Sequence, residues 1–311
     1  MDRKCELLAL AEKLSQIMGM GSIADVHEKA LSVHEQGFSG AELFRMELIY
    51  KDGKTGSFIC KKADLKERMV MQTLTMQGHS CTPAAYSADR TSEEPAWMIQ
   101  QDLGQKVDAP HNDPKWMARV ADALTEIHGS NMNRGEAMPW LPHADAAYWE
   151  KIVTQISVDH FAKAVSEDSQ FARQFESLLL KLREAGKKFV RDMTALYQEA
   201  EWLTLTHGDL QNIDGDHVYN VNGKPYIIDF GFARYAPFYI DLVDYFSLEN
   251  VALYHQSLTS RGFELHWNDF EERFRSVYRY PGFIYMFPSI MQWKSGSEER
   301  LINMINRILK D

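Results

Sequence analysis

The feature that most constrains this chain is a pair of aspartates, each of which directly follows a run of β-forming residues. The first run continues as Leu205-Thr-His-Gly-Asp209, and the second is Tyr226-Ile-Ile-Asp229. The Asn222-Gly223 dipeptide between them is typical of a tight β-hairpin turn. A hairpin there would bring Asp209 and Asp229 side by side. Two carboxylates in one site suit a division of labour, in which one accepts a hydroxyl proton and the other holds Mg²⁺.

Hydrophobic periodicity predicts two parts that differ in secondary structure. In residues 1–104 we expect, in order, a helix over 7–18, strands within 29–62 that begin around Leu31, a helix over 65–77 and an extended segment over 97–101. Asp52-Gly53 is predicted to be a hairpin tip. In residues 105–311 we expect helices, including a long helical tract over 146–200, interrupted by strands and loops within 203–233. The predicted fold class is therefore α+β.

Composition narrows the classes of function. The 311 residues include 34 Lys and Arg against 44 Asp and Glu, a formal net charge of −10. This balance argues against nucleic-acid binding and against a polybasic membrane surface, because both need positive charge. No signal peptide and no apolar stretch of membrane-spanning length is evident. The three cysteines, Cys5, Cys60 and Cys81, lie in spacings that we do not interpret as metal sites or disulfides, and we expect a reduced cytoplasmic compartment.

In combination, the two aspartate motifs resemble those of the aminoglycoside phosphotransferase/choline kinase-like family, over nearly the whole chain. His207-Gly-Asp209-Leu is similar to the family's catalytic loop, and Asp229-Phe-Gly is similar to its metal-binding loop. The resemblance implies a bilobal protein-kinase-like fold. It also implies that Asp209 positions and deprotonates the acceptor hydroxyl, and that Asp229 is the main Mg²⁺ ligand. Asp241, twelve residues after Asp229, resembles the aspartate that braces the catalytic loop.

The second metal ligand departs from the family's pattern. It usually lies five residues after the catalytic aspartate, which is Asp214 here. Counted back from the Gly223 hairpin, the same ligand is His217, and the loop then carries extra residues. His217 is slightly favoured because His217-Val-Tyr is typical of a strand start. Imidazole is a softer ligand than Mg²⁺ prefers, however, so Asp214 or Asn212 could serve instead.

The resemblance implies that residues 1–104 form a nucleotide-clamping lobe and residues 105–311 a catalytic and acceptor-binding lobe. Gly37, Ser39 and Gly40 lie in a turn between two strands of the smaller lobe. In a kinase-like fold such a turn closes over phosphates, since glycines let backbone N–H groups approach the oxygens. The alternative interpretation of the same turn is an ordinary hairpin.

Other residues of the small lobe match the nucleotide-binding pattern of the family. Lys61 ends an apolar strand and would contact the α- and β-phosphates, or it is a surface lysine. Glu67 would pair with Lys61, or it completes a helix-capping box with Asp64. The segment that includes Gln101 and Leu103 resembles the hinge, where backbone atoms would bind adenine.

These features together predict an ATP- and Mg²⁺-dependent phosphotransferase. Only twelve residues separate Asp229 from Asp241 and no Ala-Pro-Glu follows, whereas protein kinases use a longer segment to hold peptides. We therefore expect the acceptor to be a hydroxyl of a small molecule that is aminoglycoside-like, an amino alcohol or a sugar. Acidic and aromatic residues after Asp241 would bind a cationic acceptor, or they are surface acids and core rings. The alternative function is a nucleotide-binding pseudokinase with a regulatory role, and the unusual loop at 211–216 supports it. The oligomeric state is left open.

Overall fold

The computed structural model describes residues 3–31, 42–105, 107, 109–212 and 215–309. The α-helices are α1 (Arg3–Ile17), α2 (Leu65–Met76), α3 (Pro114–Asn131), α4 (Ala146–Glu150), α5 (Asp159–Glu167), α6 (Ser169–Phe175), α7 (Leu179–Gln198), α8 (Tyr239–Tyr245), α9 (Ala252–Ser260), α10 (Trp267–Val277), α11 (Tyr280–Ile284), α12 (Met286–Lys294) and α13 (Glu299–Leu309). The strands are β1 (Ile23–Ala30), β2 (Leu43–Tyr50), β3 (Thr55–Ala63), β4 (Ala85–Tyr86), β5 (Ala96–Gln101), β6 (Leu203–Thr206), β7 (Gln211–Asn212), β8 (Gly215–Asp216), β9 (Val218–Val221), β10 (Lys224–Ile227) and β11 (Arg234–Pro237).

Backbone contacts divide the chain into two compact units. The first unit comprises Met1–Ser130, Pro139–Leu141 and Asp209–Ala233. The second comprises Asn131–Met138, Pro142–Gly208 and Arg234–Asp311. The first unit thus contains α3 and both motif aspartates in addition to the N-terminal elements. The division into functional lobes at 1–104 and 105–311 stays a prediction.

The described part of the first unit contains an antiparallel sheet with the strand order β1-β2-β3-β5-β4. The turn between β2 and β3 lies at Asp52-Gly53, as predicted, and Gly53 has a φ of +83° that a residue without a Cβ adopts easily. The first described strand begins at Ile23, earlier than predicted, and the strand predicted around Leu31 lies mostly outside the described residues. Only Ile23 and Val26 of β1 are buried, because it is an edge strand, and its sequence therefore lacks a clear alternation.

The elements next to the sheet follow from local sequence signals. In β3, Phe58 and Cys60 are buried, so Lys61 lies on the opposite face of the sheet. α2 begins at the N-cap Asp64, whose carboxylate accepts the Glu67 N–H at 2.8 Å. In α3, periodicity predicts an apolar face, and the structure buries it. The face consists of Trp116, Val120, Leu124 and Ile127.

The second unit is mainly helical. The tract 146–200 forms α4, a π-helical segment, α5, α6 and α7 rather than one continuous helix. It is interrupted at Asp168, because that carboxylate caps the N-terminus of α6. Gly186 allows α7 to pack closely, since a Cβ there would lie 2.5 Å from Val153 Cγ1. No described helix is both long and apolar enough to cross a membrane. The α+β prediction is confirmed, with a small antiparallel sheet and a larger helical part.

Candidate functional site

The first aspartate motif begins at a fully buried strand, β6, which pairs with β11. His207 and Gly208 follow, and the backbone N–H of each donates to a carboxylate oxygen of Asp241 at 2.7 Å. The Tyr280 hydroxyl donates to the Gly208 carbonyl at 2.7 Å. Gly208 has a φ of +79°, which favours glycine. Asp241 is fully buried. The turn that precedes Asp209 is therefore held at both its N–H and its C=O groups.

The hairpin predicted between the two motifs is present. β9 and β10 pair antiparallel and leave Asn222 and Gly223 as a two-residue turn. Their φ values of 53° and 81° are both positive, as a type I′ turn requires. Beyond the hairpin, the Ile228 N–H donates to the His217 carbonyl at 3.0 Å. The residue immediately before Asp229 is thus held against His217.

His217 lies within 4 Å of both motif carboxylates. Its Nδ1 is 3.8 Å from Asp209 Oδ2, and its Nε2 is 3.9 Å from Asp229 Oδ2. Nδ1 also donates to the backbone carbonyl of Asp209 at 2.5 Å. Because a carbonyl only accepts, Nδ1 carries a proton, and the lone pair of a neutral ring is then on Nε2, on the side of Asp229. This is the tautomer in which the Nε2 of a histidine can bind a metal ion.

Lys61 links the sheet to the second motif. Its Nζ donates to Glu67 Oε1 at 2.6 Å and to Asp229 Oδ1 at 2.9 Å. The side chains of Lys61 and Glu67 are only 13% and 7% exposed. The two interpretations of the sequence around Glu67 are both partly realised: Asp64 caps α2, while the Glu67 carboxylate contacts Lys61. Lys61 therefore lies between two carboxylates, one from α2 and one from the motif loop.

The protonation of Lys61 reflects these two neighbours. Burial by itself opposes the charge of the ammonium group. The attraction and hydrogen bonding of Glu67 and Asp229 outweigh burial, and together they raise the pKa of Lys61 above its ordinary value. Lys61 is therefore a cation at neutral pH. The site combines this fixed cation with oxygen and imidazole donors, the groups that phosphates and divalent metal ions require.

Asp229 has an unusual backbone conformation. Its φ and ψ are 60° and 66°, in the left-handed region, which costs a non-glycine residue roughly 1–3 kcal/mol. The following turn is held on one side by the buried ring of Phe230 and on the other by Lys66, whose ammonium donates to the Gly231 carbonyl. A left-handed residue among charged side chains is typical of functional sites, because the surrounding structure has to stabilise it.

A second polar cluster stabilises the segment after β5. The Asp102 carboxylate accepts hydrogen bonds from Arg45 Nε at 2.6 Å, from Ser57 Oγ at 2.7 Å and from the Gly104 N–H at 2.9 Å. Its side chain is 6% exposed. Burial alone would raise the pKa of Asp102, but the hydrogen bonds from Arg45, Ser57 and Gly104 outweigh burial and lower it. Asp102 is therefore an anion that connects three segments around the predicted hinge.

Of the remaining predicted site residues, the structure describes some and leaves others outside the described part of the chain. Gln101 ends β5, and its N–H donates to the Ala84 carbonyl at 2.8 Å, so that amide is engaged within the protein. Leu103 is half-buried. Asn212 lies in β7, and its side chain is outside the described part of the structure. Four further residues also lie outside the described residues, namely Gly37, Ser39, Gly40 and Asp214.

After Asp241, several aromatic rings and Asp244 belong to the interior of the second unit, whereas Glu249, Glu264, Asp269 and Glu272 are exposed. Tyr280 and Phe283 are almost completely buried. Asp244 is also buried, and it accepts a hydrogen bond from the Tyr285 hydroxyl at 3.1 Å. For these residues the structure supports the interpretation as core residues rather than as an acceptor-binding surface.

Sequence reasoning missed several supporting residues. Tyr280 is 72 positions from Gly208, so no local pattern could connect them. No local pattern could connect Lys66 with Gly231 either, because these residues are 165 positions apart. Asp102 is different, since an acidic residue that directly follows a half-buried strand and precedes a glycine could have been recognised as a candidate for a buried hydrogen-bonding role.

Comparisons with known proteins bear on the family and the fold of this chain. A family model described as "Phosphotransferase enzyme family" matches residues 46–264. No curated protein sequence matches the chain. Among solved structures, the chain is similar to an ethanolamine kinase of Plasmodium vivax, with a TM-score of 0.60 and 13% identity over 91% of this chain and 80% of that chain.

Two further solved structures are similar over most of their length. One is a spectinomycin phosphotransferase solved with ADP and spectinomycin, with a TM-score of 0.56 and 13% identity over 93% of this chain and 94% of that one. The other is a macrolide 2′-phosphotransferase from Brachybacterium faecium, with a TM-score of 0.51 and 11% identity over 97% of this chain and 98% of that one. Identities this low show a shared fold alone. The family model, in contrast, covers more than half of the sequence, and the chain therefore belongs to the phosphotransferase enzyme family.

Proposed function

We propose that this protein transfers the γ-phosphoryl group of ATP to a hydroxyl of a small molecule. The observation that carries the proposal is the chain of contacts from Glu67 through Lys61 to Asp229, with His217 between Asp229 and Asp209. Phosphoryl transfer asks the protein for positioning and charge neutralisation rather than for covalent chemistry. A buried cation next to paired carboxylates supplies both.

Asp209 is proposed to position the acceptor hydroxyl and to accept its proton. Its side chain is only 8% exposed, and its main-chain carbonyl is held by His217. The turn before it is held by Asp241, so the carboxylate has little freedom to move. Such preorganisation keeps the carboxylate in the geometry that general base catalysis requires.

Asp229 and His217 are proposed to hold Mg²⁺. The donors fit such an ion, since a carboxylate oxygen and the Nε2 lone pair face one another at 3.9 Å. That separation is shorter than twice the ligand distance of about 2.1 Å that Mg²⁺ prefers, so one ion can reach both atoms. Bound there, the ion would neutralise charge on the β- and γ-phosphates. Asp214 and Asn212 stay alternative ligands.

Lys61 is proposed to contact the α- and β-phosphates, with Glu67 fixing its position. The low exposure of both side chains supports this assignment, because a surface lysine would keep its Nζ in water. Around the adenine, the Gln101 N–H is engaged by Ala84, so we assign the Gln101 carbonyl and the Leu103 N–H to the base. Gly37, Ser39 and Gly40 remain proposed phosphate contacts.

The acceptor is proposed to be a small molecule, such as an aminoglycoside-like compound, an amino alcohol or a sugar. In this structure Asp229 is followed by a single 3₁₀ turn, by β11 and then by α8, which already contains Asp241. A segment this short offers no extended platform for a peptide. The similar structures of a spectinomycin phosphotransferase and an ethanolamine kinase support the same class of acceptor. The three free cysteines support a reduced cytoplasmic compartment.

The test is ADP release from ATP and Mg²⁺ in the presence of aminoglycosides, macrolides, choline, ethanolamine and sugars. With the acceptor that responds, Asp209→Ala should bind ATP with unchanged affinity and lower kcat by roughly 10²–10⁴-fold. Asp192→Asn is the matched control, because Asp192 forms only a surface pair with Lys188 on α7, and it should keep full activity. Full turnover in Asp209→Ala would remove Asp209 from its role. ATP binding without ADP release for any acceptor would favour the pseudokinase.

A further inference from the structure

A cluster of side chains with ligand-type atoms, two of them buried, lies outside the site described above. His79, Cys81 and Glu126 each present one ligand atom, and these atoms lie within 4.8 Å of one another. His79 and Cys81 belong to the segment after α2, and Glu126 is on α3. The His79 side chain is 2% exposed and Cys81 is 3% exposed, while the Glu126 side chain is 32% exposed. We propose that this cluster binds one divalent transition-metal ion of the zinc type.

The contacts of His79 direct its Nδ1 toward the Glu126 carboxylate. Its Nε2 lies 2.9 Å from the Gln77 amide oxygen, and its Nδ1 lies 2.9 Å from Glu126 Oε1. Both partners are acceptors, and a neutral imidazole has only one N–H. When Nε2–H donates to Gln77, Nδ1 faces the Glu126 carboxylate, and both atoms are then placed to bind the same metal ion once Nδ1 carries no proton. Histidines that bind metals through one nitrogen donate the other N–H to such an outer acceptor.

Cys81 supplies a soft donor next to these two. Its thiol now donates to the Ala123 carbonyl at 3.6 Å. Thiolate, imidazole and carboxylate are the ligands that Zn²⁺ takes, in sites with three protein ligands and one further position. Binding forms bonds from the ion to Sγ, Nδ1 and Oε1, and it releases to solvent the thiol proton and any proton held at Nδ1. Sequence analysis overlooked this spacing, in which His79 lies two residues before Cys81.

A cavity next to the cluster supplies access and the fourth position. It has a volume of ≈ 460 Å³, and its lining includes Cys81, Glu126, Asp122 and Arg119. The cavity also reaches the turn at Gly223. A water molecule there would complete a tetrahedral site, as in zinc sites that keep one open position.

The position of the cluster connects it to the second aspartate motif. The Cys81 carbonyl accepts the Ile227 N–H at 2.7 Å, and Ile227 lies two residues before Asp229. An ion bound to Cys81 and Glu126 would thus join α3 to the segment around Cys81, whose carbonyl accepts a hydrogen bond from β10. The occupied site would stabilise the strand that leads to Asp229.

The experiment is a titration of the full-length protein with Co²⁺, which reports a thiolate ligand through its sulfur-to-metal charge-transfer absorption. We expect one equivalent to produce this absorption and Zn²⁺ to displace it. Cys81→Ser should abolish the band, and Gln77→Ala should weaken binding roughly 10–100-fold, as loss of an outer partner does. Cobalt bound to oxygen or imidazole donors at Asp229 and His217 gives no such band.

Cys60→Ser is the matched control, because Cys60 is equally buried and burial raises the pKa of its thiol to about 12. It should keep the absorption, as should Cys5→Ser at an exposed position. If Cys81→Ser does not fold, Glu126→Gln, which leaves the core intact, decides the matter by weakening Co²⁺ binding at least tenfold. Absence of a 1:1 complex, or a band that survives Cys81→Ser, would overturn the proposal.

Discussion

The sharpest structural prediction concerns Asp241, which we expect to control the local stability of the turn before Asp209. Its two carboxylate oxygens accept the His207 and Gly208 N–H groups at 2.7 Å in a fully buried environment. Hydrogen bonds to a charged group contribute about 1.5–3 kcal/mol each. Asp241→Asn retains one oxygen and turns an NH₂ group toward the other backbone N–H. The backbone N–H that faces the new NH₂ group is left unpaired, which costs about 1–3 kcal/mol.

The bond that remains also becomes neutral and weakens by about 1 kcal/mol, so we expect the free energy of local opening to fall by about 2–4 kcal/mol in Asp241→Asn. Hydrogen exchange measures this quantity directly, because amide protection reports the free energy of the opening that exposes each N–H. At about 1.4 kcal/mol per factor of ten, a peptide that covers residues 205–210 should exchange roughly 30- to 700-fold faster in the variant. Mass spectrometry of peptic fragments provides the measurement.

The control is Asp244→Asn on the same helix, α8. Asp244 is buried and accepts a hydrogen bond from the Tyr285 hydroxyl, a partner in a different segment from the turn. Exchange in α7 serves as an internal reference for global loss of stability. Two results would refute the proposed role of the two hydrogen bonds. In one, Asp241→Asn accelerates hydrogen exchange at residues 205–210 no more than in α7. In the other, it accelerates exchange there no more than Asp244→Asn does.

Two further predictions concern stability. The pKa of Asp102 is lowered in the folded protein, so its contribution to the free energy of unfolding is complete above its ordinary pKa of 3.8 and is lost as the pH falls through the lower folded-state value. Asp102→Asn should therefore destabilise the protein at neutral pH, and urea titrations should show its difference from the wild type shrinking below pH 3.8; a constant difference would contradict this. Gly223→Ala should lower the free energy of unfolding by about 1–2 kcal/mol, because φ is +81° and the new Cβ would lie 3.0 Å from Arg119 Nη1. Asn222→Gly is its control and should be nearly neutral, and equal stability of Gly223→Ala and the wild type would exclude strain at this turn.

Much of the local structure could be predicted because it depends on neighbouring residues. The Asn222-Gly223 turn, the cap at Asp64 and the apolar face of α3 each follow from side chains only a few positions apart. The first strand was missed because β1, at the edge of the sheet, has few buried residues to mark it. The interruption at Asp168 was also missed, since the helical tract on both sides of that N-cap keeps a continuous periodicity.

The candidate site likewise has some features that the sequence predicts and others that only the tertiary structure shows. Asp209, Asp229 and the hairpin between them follow from sequence spacing, and so does the resemblance that the family model confirms. Whether Glu67 pairs with Lys61 could not follow from sequence, because the same residues also satisfy a capping pattern. Only the tertiary structure shows that the Lys61 ammonium contacts Glu67, at 2.6 Å, in addition to the cap that Asp64 provides.

The sequence by itself determined the α+β class, the order of the two aspartate motifs and the turn that joins them, because backbone preferences and hydrophobic periodicity act over a few residues. Tertiary structure alone decided which distant groups meet. It brings Lys61 to Asp229 across 168 positions, and it places Tyr280 against the Gly208 carbonyl. It also assembles His79, Cys81 and Glu126 from two segments. Such contacts depend on the packing of whole elements, which excludes water and favours a hydrogen-bond partner for buried charges and polar groups.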